Sequence, residues 1–136
     1  MEAISRHVDI LTQAINLRSQ RHSVLASNIA NADTPQYKAR DFDFSAAMKN
    51  AIAGRSEVGS VVLAKTATGH MSGLGGQAFA SLKFRQETQS AVDGNTVDMD
   101  VERTQIAENA LHYQVLTQLI GDKFKGMRSA LSSTQG

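Results

Sequence analysis

The side chains of this chain that could bind a metal or relay a proton are its four histidines, His7, His22, His70 and His112. They are scattered, and none stands in an HxxxH or HExxH frame that would set two ring nitrogens on one helix face. They read as surface or seam histidines. With no cysteine in the sequence, disulfides, CxxC redox pairs and thiolate metal sites are excluded. The run GLGG, residues 73–76, lacks the Gly-Lys-Ser/Thr of a phosphate loop and the strand-turn-helix frame of a dinucleotide site. Serine and aspartate are plentiful, yet no GxSxG elbow frames a nucleophile. The reading is therefore of a non-enzyme, with no catalytic, cofactor-binding or metal-ligating residue nominated and no cofactor expected.

Composition narrows the class further. Of 136 residues, 14 are Lys or Arg and 13 are Asp or Glu, so the net charge of +1 offers no clustered basic footprint for nucleic acid. Only 5% are aromatic and none is Trp, so a large compact core is not assured. No run of about 18 apolar residues marks a membrane span. The amino terminus MEAISRHVDILTQAINLRSQRH lacks the basic, apolar and small-residue regions of a secretory signal, so departure from the cytoplasm would need another route.

The elements that would position any functional residue are two long helices. Ile4, Val8, Leu11 and Ile15 follow a 4-3-4 step that resumes at Leu25 and Ile29, the seam of a coiled coil. A second, partial row of Ile10, Ala14, Leu17 and Val24 widens it. From about residue 3 to about 32 this helix would span roughly 45 Å. In the last third, Asp98 is a reasonable N-cap with Asp100 and Glu102 in the first turn, where the helix dipole favours acid. Ile106, Ala110, Tyr113, Leu116, Ile120, Phe124, Met127 and Leu131 then extend one apolar row. Gly121 and Gly126 weaken its end by roughly 1 kcal/mol each relative to Ala.

The middle differs. Residues 54–95 hold seven of the ten glycines; VGSVVLAKT, 58–66, carries the strongest β signal, FASLKF, 79–84, a weaker one, and GHMSGLGGQ, 69–77, reads as a flexible loop. The expected fold is mainly α: long terminal helices paired in a coiled-coil-like bundle, joined by a Gly/Ser-rich extended arm with little β structure. Its segments are an axial helix at 1–33, a Pro-turn segment at 34–53, the arm at 54–96 and a second axial helix at 97–136. Helices owe most of their stability to packing of an apolar face, so pairing hides one row each and leaves the second rows for helices of other molecules.

Between the first helix and the arm lies LASNIANADTPQYKARDFDF, residues 25–44. Ala26, Ser27, Ala30 and Ala32 allow close backbone approach, Asn28, Asn31 and Asp33 can bond freed main-chain groups, and Pro35 forbids helix continuation. Tyr37, Phe42 and Phe44 are apolar anchors among alternating charges. On these grounds the stretch is either a plain helix stop with a turn or an assembly contact.

This stretch closely resembles the amino-terminal signature of the bacterial flagellar rod and hook axial proteins, and DTP followed by YKARDFDF is similar to the wording of proximal rod members. GNTVDMDVERTQIAENALHYQVLTQLI, residues 94–120, resembles the carboxy-terminal pattern of the same family, including Asn95, Val97 and Asp98 and the helix carrying Asn109 and Tyr113. The middle is only weakly alike, at LAKT and His70. Gln36 stands where many members have Gly; Gln disfavours the positive φ of a type II turn, so a type I turn or open bend is expected over residues 34–37.

The resemblance implies a structural, torque-transmitting axial subunit of the basal-body rod, polymerised helically with its own copies. It also implies neighbours among the other rod proteins, the adaptor protein FliE and the MS ring. Passage through the flagellar type III export apparatus without a cleaved signal would place it in the periplasm-spanning rod. Residues nominated for assembly are Ile4, Val8, Leu11, Ile15, Leu25, Asn28, Ile29, Asn31, Asp33, Thr34, Pro35, Tyr37, Phe42, Phe44, Asn109, Tyr113, Leu116 and Ile120. Pro35 is expected to redirect residues 37–95 toward adjacent subunits. The rivals are a soluble coiled-coil adaptor or secretion chaperone, which would close as a dimer, a small hydrolase, which would need a pocket with convergent polar groups, and another proximal rod subunit.

Overall fold

The computed structural model of the chain describes residues 2–53, 80–85 and 92–132. Helix α1 runs Glu2–Ala30, strand β1 is Arg40–Asp41, helix α2 is Phe44–Ile52, strand β2 is Lys83–Phe84 and helix α3 is Met99–Ser132. The expected strand at 58–66 and loop at 69–77 lie outside the described residues, as does His70.

The two long helices pack together. Asn28 meets Glu102 while Arg18 meets Asn109, so residue numbers rise along one helix as they fall along the other and the pair is antiparallel. Asp98 caps α3 as expected: its Oδ1 accepts from the N–H groups of Asp100 at 3.0 Å and Val101 at 3.2 Å. Asp43 does the same for α2, accepting from Ser45 and Ala46 at 2.8 and 3.1 Å. Helix α2 had no place in the sequence reading. It follows from that cap and from FSAAMKNAI, an alanine-containing run whose Ala47 is buried with Leu17 of α1 and Phe42.

The core is small and lies at one end of the antiparallel pair. Leu17, Phe42 and Ala47 form its centre, with Phe44, Met48, Ala51 and Ala80 packed around them; Leu25, Ala14 and Ala39 are also buried. A fully buried Leu or Phe contributes about 1.5–3 kcal/mol, so a few such residues matter. This arrangement corrects two expectations. The second row of α1 does not wait for another molecule at Leu17, because the chain's own Phe42 and Ala47 cover it. Nor do residues 37–53 run outward from Pro35: β1 pairs antiparallel with β2, Arg40 opposite Phe84 and Asp41 opposite Lys83, and α2 folds back on α1.

The turn after α1 is a third correction. Gln36 has φ 61°, and the Tyr37 N–H donates to the Thr34 carbonyl at 3.3 Å, the pattern of a type II turn with Pro35 at its second position. Left-handed backbone costs a residue with a side chain roughly 1–2 kcal/mol. Long-range bonds outweigh that cost. The side-chain Nδ2 of buried Asn95 donates to the carbonyls of Asn31, Ala32 and Thr34 at 3.0, 2.7 and 2.9 Å, and the Gln36 N–H reaches the Asp93 carbonyl at 3.0 Å. Local propensity, which favours a type I turn for Gln, loses to a distant asparagine.

Candidate functional site

A charged cluster closes the compact end. Asp41, on β1, takes Arg21 of α1 in a two-pronged contact, Nε to Oδ1 at 3.0 Å and Nη2 to Oδ2 at 2.8 Å. Arg85, just after β2, donates from Nη2 to Asp41 Oδ2 at 3.1 Å and from Nη1 to Oε1 of Glu102 in the first turn of α3. Glu102 is fully buried, and its Oε2 accepts from Asn28 Nδ2 at 3.2 Å. Asn28, equally buried, also bonds both main-chain groups of Arg40, donating to the carbonyl at 2.7 Å and accepting from the N–H at 3.0 Å. Gln105 accepts from Arg21 Nη2 at 2.7 Å.

Burial alone would raise the Asp41 carboxyl. Hydrogen bonds from Arg21, the Phe42 N–H and Arg85 outweigh it and hold the group below its ordinary range. The hydrogen bond to Asp41 correspondingly pushes Arg21 up. Each of the four carboxylate oxygens of Asp41 and Glu102 is already engaged by a donor. Two acids facing two guanidiniums, joined from α1, β1, the residue after β2, and α3, form a fastening rather than a reactive centre.

Next to this cluster the helix pair opens into a groove of about 300 Å³, lined by Arg18, Ser19 and His22 from α1 and by Asn109, Tyr113 and Gln114 from α3. Asn109 is buried and donates to the Arg18 carbonyl at 2.9 Å, while its Oδ1 lies 3.4 Å from Arg18 Nη1. The Arg18 guanidinium stacks 3.9 Å above the Phe44 ring, and its Nε is buried without a hydrogen-bond partner among the described residues. Desolvation, with the charge of Arg21, pulls Arg18 below its usual value.

Beyond the groove α3 stands largely uncovered. Leu111, Val115 and Leu119 are 64%, 58% and 47% exposed and share one face at i, i+4, i+8 spacing. This row was legible as a pattern but was not singled out, because the row through Leu116 and Ile120 is longer. Among the described residues no group of three or more His, Cys, Asp or Glu is placed to hold a metal, and no helix is long and apolar enough to cross a membrane.

The residues nominated for assembly divide by depth. Leu25, Asn28, Phe42 and Asn109 are buried inside the chain; Val8, Leu11, Ile15, Ile29, Asn31, Tyr37, Phe44, Leu116 and Ile120 are half-buried; Asp33, Thr34, Pro35 and Tyr113 are exposed. Ile4 lies in α1, outside the residues whose side chains are described. Arg21, Asp41, Arg85, Asn95 and Glu102 were not nominated. Asp41 and Glu102 read as one of several alternating charges and as a first-turn acid, and only pairing across 20 and 44 residues for Asp41 and 17 and 74 for Glu102 reveals their role.

An antiparallel helix pair fastened by buried polar residues, with uncovered apolar surface at one end, defines a structural subunit built for packing. Residues 9–38 match the family model described as "Flagella basal body rod protein". The chain is 48% identical to the flagellar basal body rod protein FlgB of Salmonella typhimurium over 88% of each chain, and 47% identical to that of Escherichia coli over 89% of each. The FlgB of Cereibacter sphaeroides is 37% identical over 96% of this chain and 98% of its own. The chain belongs to the FlgB family of flagellar basal body rod proteins. It is a structural component of the flagellar basal body, serving motility.

Proposed function

We propose that this rod subunit polymerises through its terminal helices into the open, torque-transmitting proximal rod. In this reading it reaches its place through the flagellar type III export apparatus without a cleaved signal, and it lies in the periplasm-spanning part of the basal body. Its neighbours are copies of itself, other rod proteins, the adaptor protein FliE and the MS ring. The observation that supports the reading best is the uncovered Leu111, Val115 and Leu119 face of α3, apolar surface that the described part of the chain leaves in water. Helix–helix packing against a neighbour would cover it, and an export-competent chain gains by deferring that packing until it arrives.

The test uses Leu111→Asp with Val115→Asp, both at exposed positions. Expected is a monomer with unchanged helix content by circular dichroism and loss of swimming on soft agar when the variant replaces the parent chain. Swimming at the parental rate would show that this face is not an assembly surface.

A further inference from the structure

The groove beside Arg18 and the uncovered face of α3 are complementary. The groove is mostly apolar, and one of the residues lining it is the half-buried cation Arg18. Its guanidinium, stacked on Phe44 and matched by Asn109 Oδ1 only at 3.4 Å, favours an anion. The α3 face offers apolar side chains followed by an anion: Leu111, Val115 and Leu119 are continued at i+3 by Asp122, whose carboxylate is 58% exposed and, among the described residues, meets only the exposed Lys125 at 3.5 Å. An exposed pair of this kind is worth little and is readily exchanged.

The two surfaces also face different ways. At 3.6 residues per turn, Asn109 and Tyr113, which line the groove, lie on roughly the opposite side of α3 from Val115 and Asp122. A molecule cannot present its own stripe to its own groove, and two copies cannot exchange both contacts about one two-fold axis without bringing opposite faces together. Joining stripe to groove is a heterologous contact, the kind that propagates as an open helix instead of closing.

We propose that the groove beside Arg18 receives the α3 stripe of a second copy of this chain, with that copy's Asp122 carboxylate bonded to the Arg18 guanidinium. Leu119 and Val115 of the arriving helix fill the apolar walls between His22 and Tyr113, and the charge pair sets the axial register. This inference rests on the reading of the chain as a polymerising rod subunit, and names which of its faces meet. Acceptance of a carboxylate also fits the electrostatics of Arg18, whose charge is disfavoured by desolvation and by Arg21 in the lone chain.

The absence of cysteine makes the contact testable in cells. Ser19→Cys, on the exposed rim of the groove, is combined with Gln118→Cys, exposed beside the stripe, in a strain lacking its own copy of the chain. After mild oxidation, swimming cells carrying the pair are expected to yield a ladder of dimers, trimers and longer species, and neither single variant to do so. Adding Asp122→Asn should reduce the ladder several-fold, Asp122→Glu should restore it, and Lys125→Gln should leave it unchanged. Swimming cells without a ladder, or with a dimer only, would overturn the contact; a ladder indifferent to Asp122→Asn would overturn the charge pair. Failure of the unmodified chain to restore swimming would instead count against the rod-subunit reading itself.

Discussion

The two ends of the helix pair are built on different terms. Where the carboxy-terminal half of α1 meets the amino-terminal half of α3, Leu17, Leu25, Asn28, Glu102 and Asn109 are all buried, and the carboxylates of Asp41 and Glu102 and the amide of Asn28 are answered from within the chain. Toward the far end of α3, Leu111, Val115, Leu119 and Phe124 face solvent. The same helix therefore passes from a finished interior to an unfinished one within about two turns. An assembly subunit can keep its shape with one region while leaving the other to be completed by contact, and the two should respond to mutation in opposite ways.

The contrast breaks most sharply at Glu102. Glu102→Ala leaves Arg21 and Arg85 sharing the single carboxylate of Asp41 and takes one partner from buried Asn28, and is expected to cost about 3–5 kcal/mol of monomer stability, read as a lowered urea midpoint. A cost under about 1 kcal/mol would mean that helix pairing alone holds the compact end. Next in size is Asn95→Ala, which removes one donor from each of three carbonyls of the turn and should cost about 1–3 kcal/mol by the same measurement.

Acid tests the compact end from another side. Asp41 is held below its ordinary pKa, so the unfolded chain binds the proton more readily and stability rises with pH through this range. Its contribution is fully present above the unfolded carboxylate range, near pH 4, and is lost as the pH falls through the lowered folded value. Thermal midpoints measured between about pH 6 and pH 2 should fall less steeply in Asp41→Asn than in the parent. Identical slopes would remove Asp41 from the account.

At the unfinished end the expected change is smaller and opposite in sign. A Cβ added at Gly121 meets nothing within 4 Å, so Gly121→Ala should raise stability by up to about 1 kcal/mol through helix propensity alone. Circular dichroism of the dilute chain measures it. If Gly121→Ala instead lowers both helix content and thermal midpoint, that end is more tightly packed than its exposure indicates.

Much of the scaffold was readable from residue order. The 4-3-4 spacing announced α1, Asp98 announced the start of α3, and Pro35 marked the end of the first helix region, because caps, prolines and apolar periodicity act over a few residues. The FASLKF signal ended as the short β2, Lys83–Phe84. What could not be read was pairing over long separations. Nothing near Asp41 distinguishes it from Asp43, yet one is clamped by two arginines and the other caps α2. Gln36 was misread for the same reason, since its positive φ depends on Asn95 and Asp93.

By itself, the order of residues determined a mainly helical chain with two long amphipathic ends and a signature shared with flagellar rod proteins, since those properties are written in local spacing and wording. Only the folded arrangement decided which apolar row is closed and which is left open. Covering a face is a matter of what lies opposite it in space: α2 happens to fold over Leu17, and no described element folds over Val115.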